Sequence, residues 1–101
     1  MPSPLTSKQR AHLRGLAHPL RPVLHVGKEG VSAATIHACA DAFRTRELLK
    51  LRVLDAAPDT ARGTAHAIAK QMDDVHVVQV VGHTAVLYRA DPDHPTIQLP
   101  K

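Results

Sequence analysis

Aromatic side chains are almost missing from this sequence: Phe43 and Tyr88 are its whole Phe, Tyr and Trp inventory. A core must therefore be built from Val, Leu, Ile and Ala, and of the Phe, Tyr, Trp and His platforms on which single-stranded nucleic acids usually stack, the first three are almost lacking. Cysteine is equally scarce. The single Cys39 excludes an intramolecular disulfide and suits a small buried residue in a reducing compartment. No apolar run approaches the length of a membrane span, and Met1-Pro2-Ser3-Pro4 lacks the basic and apolar regions of a secretion signal, so a cytoplasmic protein with no membrane partner is expected. There is no Walker loop, nucleophile elbow or dinucleotide fingerprint. The eight histidines, His12, His18, His25, His37, His66, His76, His83 and His94, show none of the short ligand spacings of zinc sites. Catalysis, a metal and a cofactor are all unsupported.

What the chain does contain is a length of 101 residues, suited to one domain over 1–101, with residues 1–4 and 90–101 as less regular ends. Its formal net charge of +4 and pI near 9.7 fit a polyanionic partner, and the charge is unevenly spread. Residues 1–52 carry nine Lys and Arg against three Asp and Glu; residues 53–101 carry four against six. One side of the molecule should be basic.

Thr6-Ser7-Lys8-Gln9 has the spacing of a capping box and predicts a helix from about Ser7, with Leu13, Leu16, Ala17 and Leu20 on one face. Pro19 should push His18 out of helical geometry and end the helix there. Arg10 and Arg14, four apart, are expected together on the solvent side, with Lys8 near their N-terminal end. Arg21 to Val26 reads as a strand, Gly27-Lys28-Glu29-Gly30 as the turn that ends it, and Ser32 as the cap of a helix running to about Thr45. Its stripe is Ile36, Cys39, Ala40 and Phe43. In a second strand, Glu47 to Leu54, Leu49, Leu51 and Val53 alternate with Leu48, Lys50, Arg52 and Leu54, which turns two basic residues away from the core. A third helix starts after Asp59 or Thr60, with Ala61, Ala65, Ile68, Ala69 and Met72 inward. Two strands, Val75 to Val81 and Thr84 to Arg89, are joined through Gly82-His83. The order αβαβαββ predicts a two-layer α/β domain with parallel neighbours and a terminal antiparallel hairpin.

A strand, a G-x-x-G turn and a helix N-terminus in succession make a reasonable phosphate site, because glycine admits a foreign backbone and the first helical N–H groups face an anion with a favourable dipole. Lys28 would add charge; Glu29 works against it. Taken alone, four residues of this kind are more readily a plain turn.

Leu5-Thr6-Ser7-Lys8-Gln9-Arg10, Leu13 to Pro22 (LRGLAHPLRP) and Val26 to Val31 (VGKEGV) closely resemble the opening of the YhbY family, the free-standing bacterial form of the CRM domain. Val80 to Arg89 (VVGHTAVLYR) is similar to that family's closing hairpin, and Ile97-Gln98-Leu99-Pro100 to its terminal signature. The resemblance implies a four-stranded mixed sheet packed on helices, akin to the C-terminal domain of translation initiation factor three. It also implies binding of ribosomal RNA, or pre-50S particles, during assembly of the large subunit. On that pattern Gly27, Lys28 and Gly30 match the contact loop, with Glu29 an acidic variation within it, and Lys8, Arg10 and Arg14 match the basic helix. Lys50 and Arg52 are added here from the strand pattern alone. With so few aromatics, recognition should rest on phosphates, 2′-hydroxyls and shape, so structured RNA is expected to bind better than an unstructured strand.

Two other readings compete: an Alba-like protein that binds duplex nucleic acid as a dimer, and a ribosome-associated protein-interaction module that touches no RNA. A monomer is the default expectation. Because no histidine or cysteine is given a ligand role, purified protein is expected to carry no stoichiometric zinc by elemental analysis; one equivalent would overturn that reading.

Overall fold

A computed structural model of the chain describes residues 4–101, so the reading of Met1, Pro2 and Ser3 lies outside the described residues. Seven elements follow in the expected order: α1 Ser7–Ala17, β1 Leu24–Val26, α2 Ala33–Phe43, β2 Leu48–Val53, α3 Ala61–Gln71, β3 His76–Val81 and β4 Thr84–Tyr88. Local chemistry explains their starts. Thr6 and Gln9 form the reciprocal capping box of α1, with Gln9 N–H donating to Thr6 Oγ1 at 3.1 Å and Thr6 N–H to Gln9 Oε1 at 3.0 Å. Ser32 caps α2 in the same reciprocal way through Thr35, and Thr60 rather than Asp59 caps α3 by accepting Gly63 N–H at 3.0 Å. His18 departs from expectation: it keeps helical dihedrals (φ −52°, ψ −47°) despite Pro19. The helix still stops there, since Pro19 has no N–H with which to continue the ladder.

The strands form one mixed sheet in the order β1-β2-β4-β3, with β1 and β2 parallel and the other two pairs antiparallel. The α/β class, the element order and the mixed sheet are those expected, but the layering is richer than two. Leu49, Leu51, Val53, Ala85 and Leu87 face α2 and α3, packing with Val26, Cys39, Phe43, Ala65 and Ile68. Leu48, Val78, Val86 and Tyr88 point the other way and are covered by Leu13 and Ala17 of α1. A helix on the second face accounts for Leu48, expected to point outward with Lys50 yet buried. It also limits α1, whose Leu16 remains 41% exposed because it lies beyond the contact stripe, as does Leu20 beyond the helix end.

Two anchors were not visible in the hydrophobic pattern. In β3, Val77 opposes Leu87 and Gln79 opposes Val86, which leaves Val78 as the extra residue of a β-bulge on an edge strand. The Arg10 guanidinium donates through Nη1 to the carbonyls of Val77 and, at 3.0 Å, Val78, docking α1 on that edge. Glu47, 3% exposed, accepts four hydrogen bonds at 2.7 Å, from the N–H of Asp91, Thr96 and Ile97 and the hydroxyl of Thr96. Its carboxylate thereby fixes the irregular segment after β4, and Ile97 and Leu99 pack on the α1 cluster while Pro100 O accepts from Gln9 Nε2 at 3.1 Å.

Burial by itself would raise the Glu47 pKa; the hydrogen bonds from Asp91, Thr96 and Ile97 outweigh it and hold the group below its ordinary value of 4.5. A lowered folded-state pKa means that this stabilisation is complete above about pH 4.5 and is lost as pH falls through the folded value. Glu47→Gln is expected to cost roughly 1–3 kcal/mol in urea unfolding, since the amide cannot accept from all four donors. In the wild type, the amides of Thr96 and Ile97 should lose exchange protection in acid before the sheet does; loss of their protection only together with the sheet, with no separate acid step, would contradict the assignment.

Candidate nucleic-acid interface

The glycine loop leaves the C-terminal end of β1, where Val26 pairs with Val53. Gly30 N–H donates to Gly27 O at 2.9 Å, closing a tight turn, and Thr35 Oγ1 donates to Gly30 O at 3.0 Å, tying the turn to α2. The two glycines are not equivalent. Gly30 is buried at φ +64°, and a Cβ there would sit 2.8 Å from Pro58 Cγ, so it is needed by the fold itself. Gly27 lies outside the left-handed region, and a Cβ would meet only Leu54 Cδ1 at 3.8 Å. Lys28 and Glu29 are exposed at the tip. Since Ser32 Oγ already accepts from Thr35 N–H, the first-turn amides of Ala33 and Ala34, both exposed residues, are the ones that helix geometry leaves without an intrahelical acceptor.

Arg52 stands one residue before Val53 on the face opposite α2 and α3, next to His25 in the register, and is exposed. Lys50 shares that face and is half-buried, its Nζ donating to Leu20 O at 3.0 Å. A groove of about 590 Å³ opens where α1 stops covering the sheet, lined by Arg14, His18, Lys50 and Gln79 among others. The structure thus brings Arg14 and Lys50 together, with Arg52 and the loop further along the same end of the sheet. Lys8 is exposed and lines none of the described cavities, while Arg10 is half-buried on the β3 bulge instead of standing free beside Arg14. Because β1 and β3 are opposite edges, three interstrand spacings of about 4.8 Å separate the loop from the Arg10 end. The candidate residues form a track rather than one pocket.

Sequence reading missed Arg62 and His66. One turn apart on α3, they meet Arg10 and Arg14 in a cleft of about 320 Å³ over the β3 edge. Their i, i+4 spacing was a usable signal, but only the fold shows that α1 and α3 flank the same strand. Among the described residues, the ion pairs within 4 Å are His37–Asp41, Arg44–Asp41 and His83–Asp55, so Arg14, Lys28, Lys50, Arg52 and Arg62 have no carboxylate partner. Unpaired cations on one surface give a field that attracts polyanions. Cys39 is buried, which pushes its thiol up to about 11 and leaves it a poor nucleophile. No three His, Cys, Asp or Glu side chains among the described residues gather as metal ligands, and no helix there is long and apolar enough to cross a membrane.

Comparison with known proteins points the same way. Residues 5–89 match the CRS1 / YhbY (CRM) domain. The chain is 38% identical to the probable RNA-binding protein YqeI of Bacillus subtilis over 96 residues, covering 95% of this chain and 99% of that one. It is 35% identical over 97 residues to an RNA-binding protein of Haemophilus influenzae, covering 96% of each. A solution structure of a Staphylococcus aureus protein proposed to bind RNA superimposes with a TM-score of 0.79 at 34% identity, over 95% of this chain and 99% of that one.

The difference between the two loop glycines is testable by thermal unfolding. Gly30→Ala should lose about 1–2 kcal/mol or more from left-handed backbone strain, with the Pro58 contact adding to it. Gly27→Ala should change stability by roughly 0.5 kcal/mol or less. Equal losses at both positions would contradict the geometry.

Proposed function

The chain belongs to the CRS1 / YhbY (CRM) domain family, and from that premise we propose that it is a non-catalytic RNA-binding protein that holds structured ribosomal RNA during assembly of the large subunit. Its relatives carry RNA-binding names, which supports RNA as the partner. The observation that carries the reading is the placement of the glycine loop, Arg52, Lys50 and Arg14 along one end and face of the sheet, with no carboxylate neutralising the cations. Gly27 admits a phosphate backbone to the amides ahead of α2, Lys28 supplies a mobile charge, and Glu29 points its charge into solvent beside it. Arg14, Lys50, Arg52 and the exposed Lys8 neutralise further phosphates. The half-buried Arg10 contributes mainly by setting the position of α1 against β3.

With no exposed Phe, Tyr or Trp on this face, affinity rests chiefly on phosphates and shape, which favours structured RNA over a flexible strand. The ribosomal target is the finer part of the proposal and follows from the family resemblance. A cytoplasmic monomer acting by positioning, with no bond made or broken, completes it.

Binding of a structured rRNA fragment, followed by fluorescence anisotropy across a salt series, tests this directly. Each phosphate contact removed should lower the slope of log K against log salt by about 0.7–0.9, so Arg14→Glu with Arg52→Glu should flatten it by roughly 1.5 and weaken all structured RNAs alike. Gly27→Asp, which the geometry tolerates, should also weaken binding while the protein stays folded. An unchanged slope in the double variant would move the RNA to another surface. Equal affinity for duplex DNA at matched salt would favour a general duplex binder.

A further inference from the structure

Gly15 occupies an interior position of α1, where glycine costs roughly 1 kcal/mol relative to alanine. Nothing within the described residues requires it. Its φ is outside the left-handed region, and a Cβ built there would meet no atom within 4 Å. The other helical glycine differs, because a Cβ at Gly63 would run into the Asp59 carboxylate. Gly15 therefore keeps clear a space that belongs to no other part of the chain.

That space is the wall of the 590 Å³ groove between α1 and the uncovered part of the sheet. The volume lies within the range of small-molecule sites, about 300–1,000 Å³. The apolar part of its floor is Val81, 60% exposed, the largest exposure among the big apolar side chains of the described residues, while Val86 behind it is already buried under α1. Gln79 stands beside Val86 and Thr84 beside Val81 in the register, so side-chain amide and hydroxyl groups border the floor. Arg14 lines it from α1 with no carboxylate within 4 Å, and Lys50, whose ammonium donates to Leu20 O, lines it from β2. A phosphate track alone has no use for an apolar floor with hydrogen-bonding edges. A nucleobase does, having flat apolar faces and a polar perimeter, and an already unpaired base reaches such a site at the least cost.

We infer that this groove seats one unpaired nucleotide of the bound RNA. The base lies over Val81 with its edge toward Gln79 and Thr84, the phosphate faces Arg14 and Lys50, and the sugar passes against the α1 backbone at Gly15. The inference rests on the RNA-binding reading and adds to it a preference for helices interrupted by a bulge.

Two RNA hairpins that differ only by a single-nucleotide bulge provide the test, with the wild-type chain and Gly15→Ala, Gly15→Leu and Gln79→Ala variants. The wild type should bind the bulged hairpin up to about tenfold tighter, the scale of one or two net hydrogen bonds to the base edge. Gly15→Leu should abolish that preference, bringing the affinity for the bulged hairpin down to that variant's own affinity for the paired one, and Gln79→Ala should reduce it. Gly15→Ala should raise the thermal midpoint and weaken bulge binding together, opposite signs that a purely structural glycine would not give. A wild type that binds both hairpins equally, or a Gly15→Leu variant that keeps the full preference, would overturn the nucleotide seat and leave RNA binding standing. A folded wild type that binds neither hairpin would overturn both.

Discussion

Side-chain alternation along β2 is the constraint on which the molecule depends. The strand lies between β1 and β4, so both of its faces must be accounted for. Leu49, Leu51 and Val53 are buried against α2 and α3, which commits Leu48, Lys50 and Arg52 to the opposite face. One eleven-residue helix, about 16 Å long, cannot cover that face of a four-stranded sheet. Leu13 and Ala17 reach Leu48 and Val86, and the coverage ends there. The positions left open on β2 are those where the sequence has Lys50 and Arg52. The proposed RNA-binding surface is thus the remainder of an incomplete layer, and it shares its end of the sheet with the loop because β1 runs parallel to β2.

The position of α1 is held by polar contacts as well as by its apolar stripe. Arg10 satisfies carbonyls that the β3 bulge turns outward on an edge strand, which also blunts that edge against pairing with another chain. Glu47 works at the other side of the same layer. A carboxylate receiving three backbone N–H groups and a hydroxyl is well compensated in a buried site, and it ties residues 91–97 to the start of β2. Removing either anchor leaves buried groups unpaired, so α1 and the tail depend on them more than helix propensity alone would indicate.

The elements were largely legible in the sequence because period and caps agree locally: Thr6 with Gln9, Ser32 before the Ile36–Phe43 stripe, and the β-branched run from Val75 to Val81 ahead of Gly82. The loop was legible as well. What could not be read was everything set by contacts distant in sequence. Arg10 looks like a solvent cation until β3, nearly seventy residues later, presents its bulge. Glu47 looks like the polar first residue of a strand until the tail folds over it, and no local pattern distinguishes the two situations. Leu48 counts as outward while the sheet is thought to have one covered face. Gly30 and Gly27 look alike as letters of a motif, and only the backbone separates the one required by Pro58 from the one left open.

The central claim is that RNA lies along the loop, the exposed strand face and the open flank of α1. Backbone amide NMR shifts of the full chain, recorded during titration with a structured rRNA hairpin, test it most directly. The account predicts changes concentrated at Gly27 to Ala34, Lys50 to Arg52 and Arg14 to His18, with little at the outer surface of α2 around His37, Asp41 and Arg44. Changes centred on that outer α2 surface, with the loop and the β2 face unaffected, would contradict it.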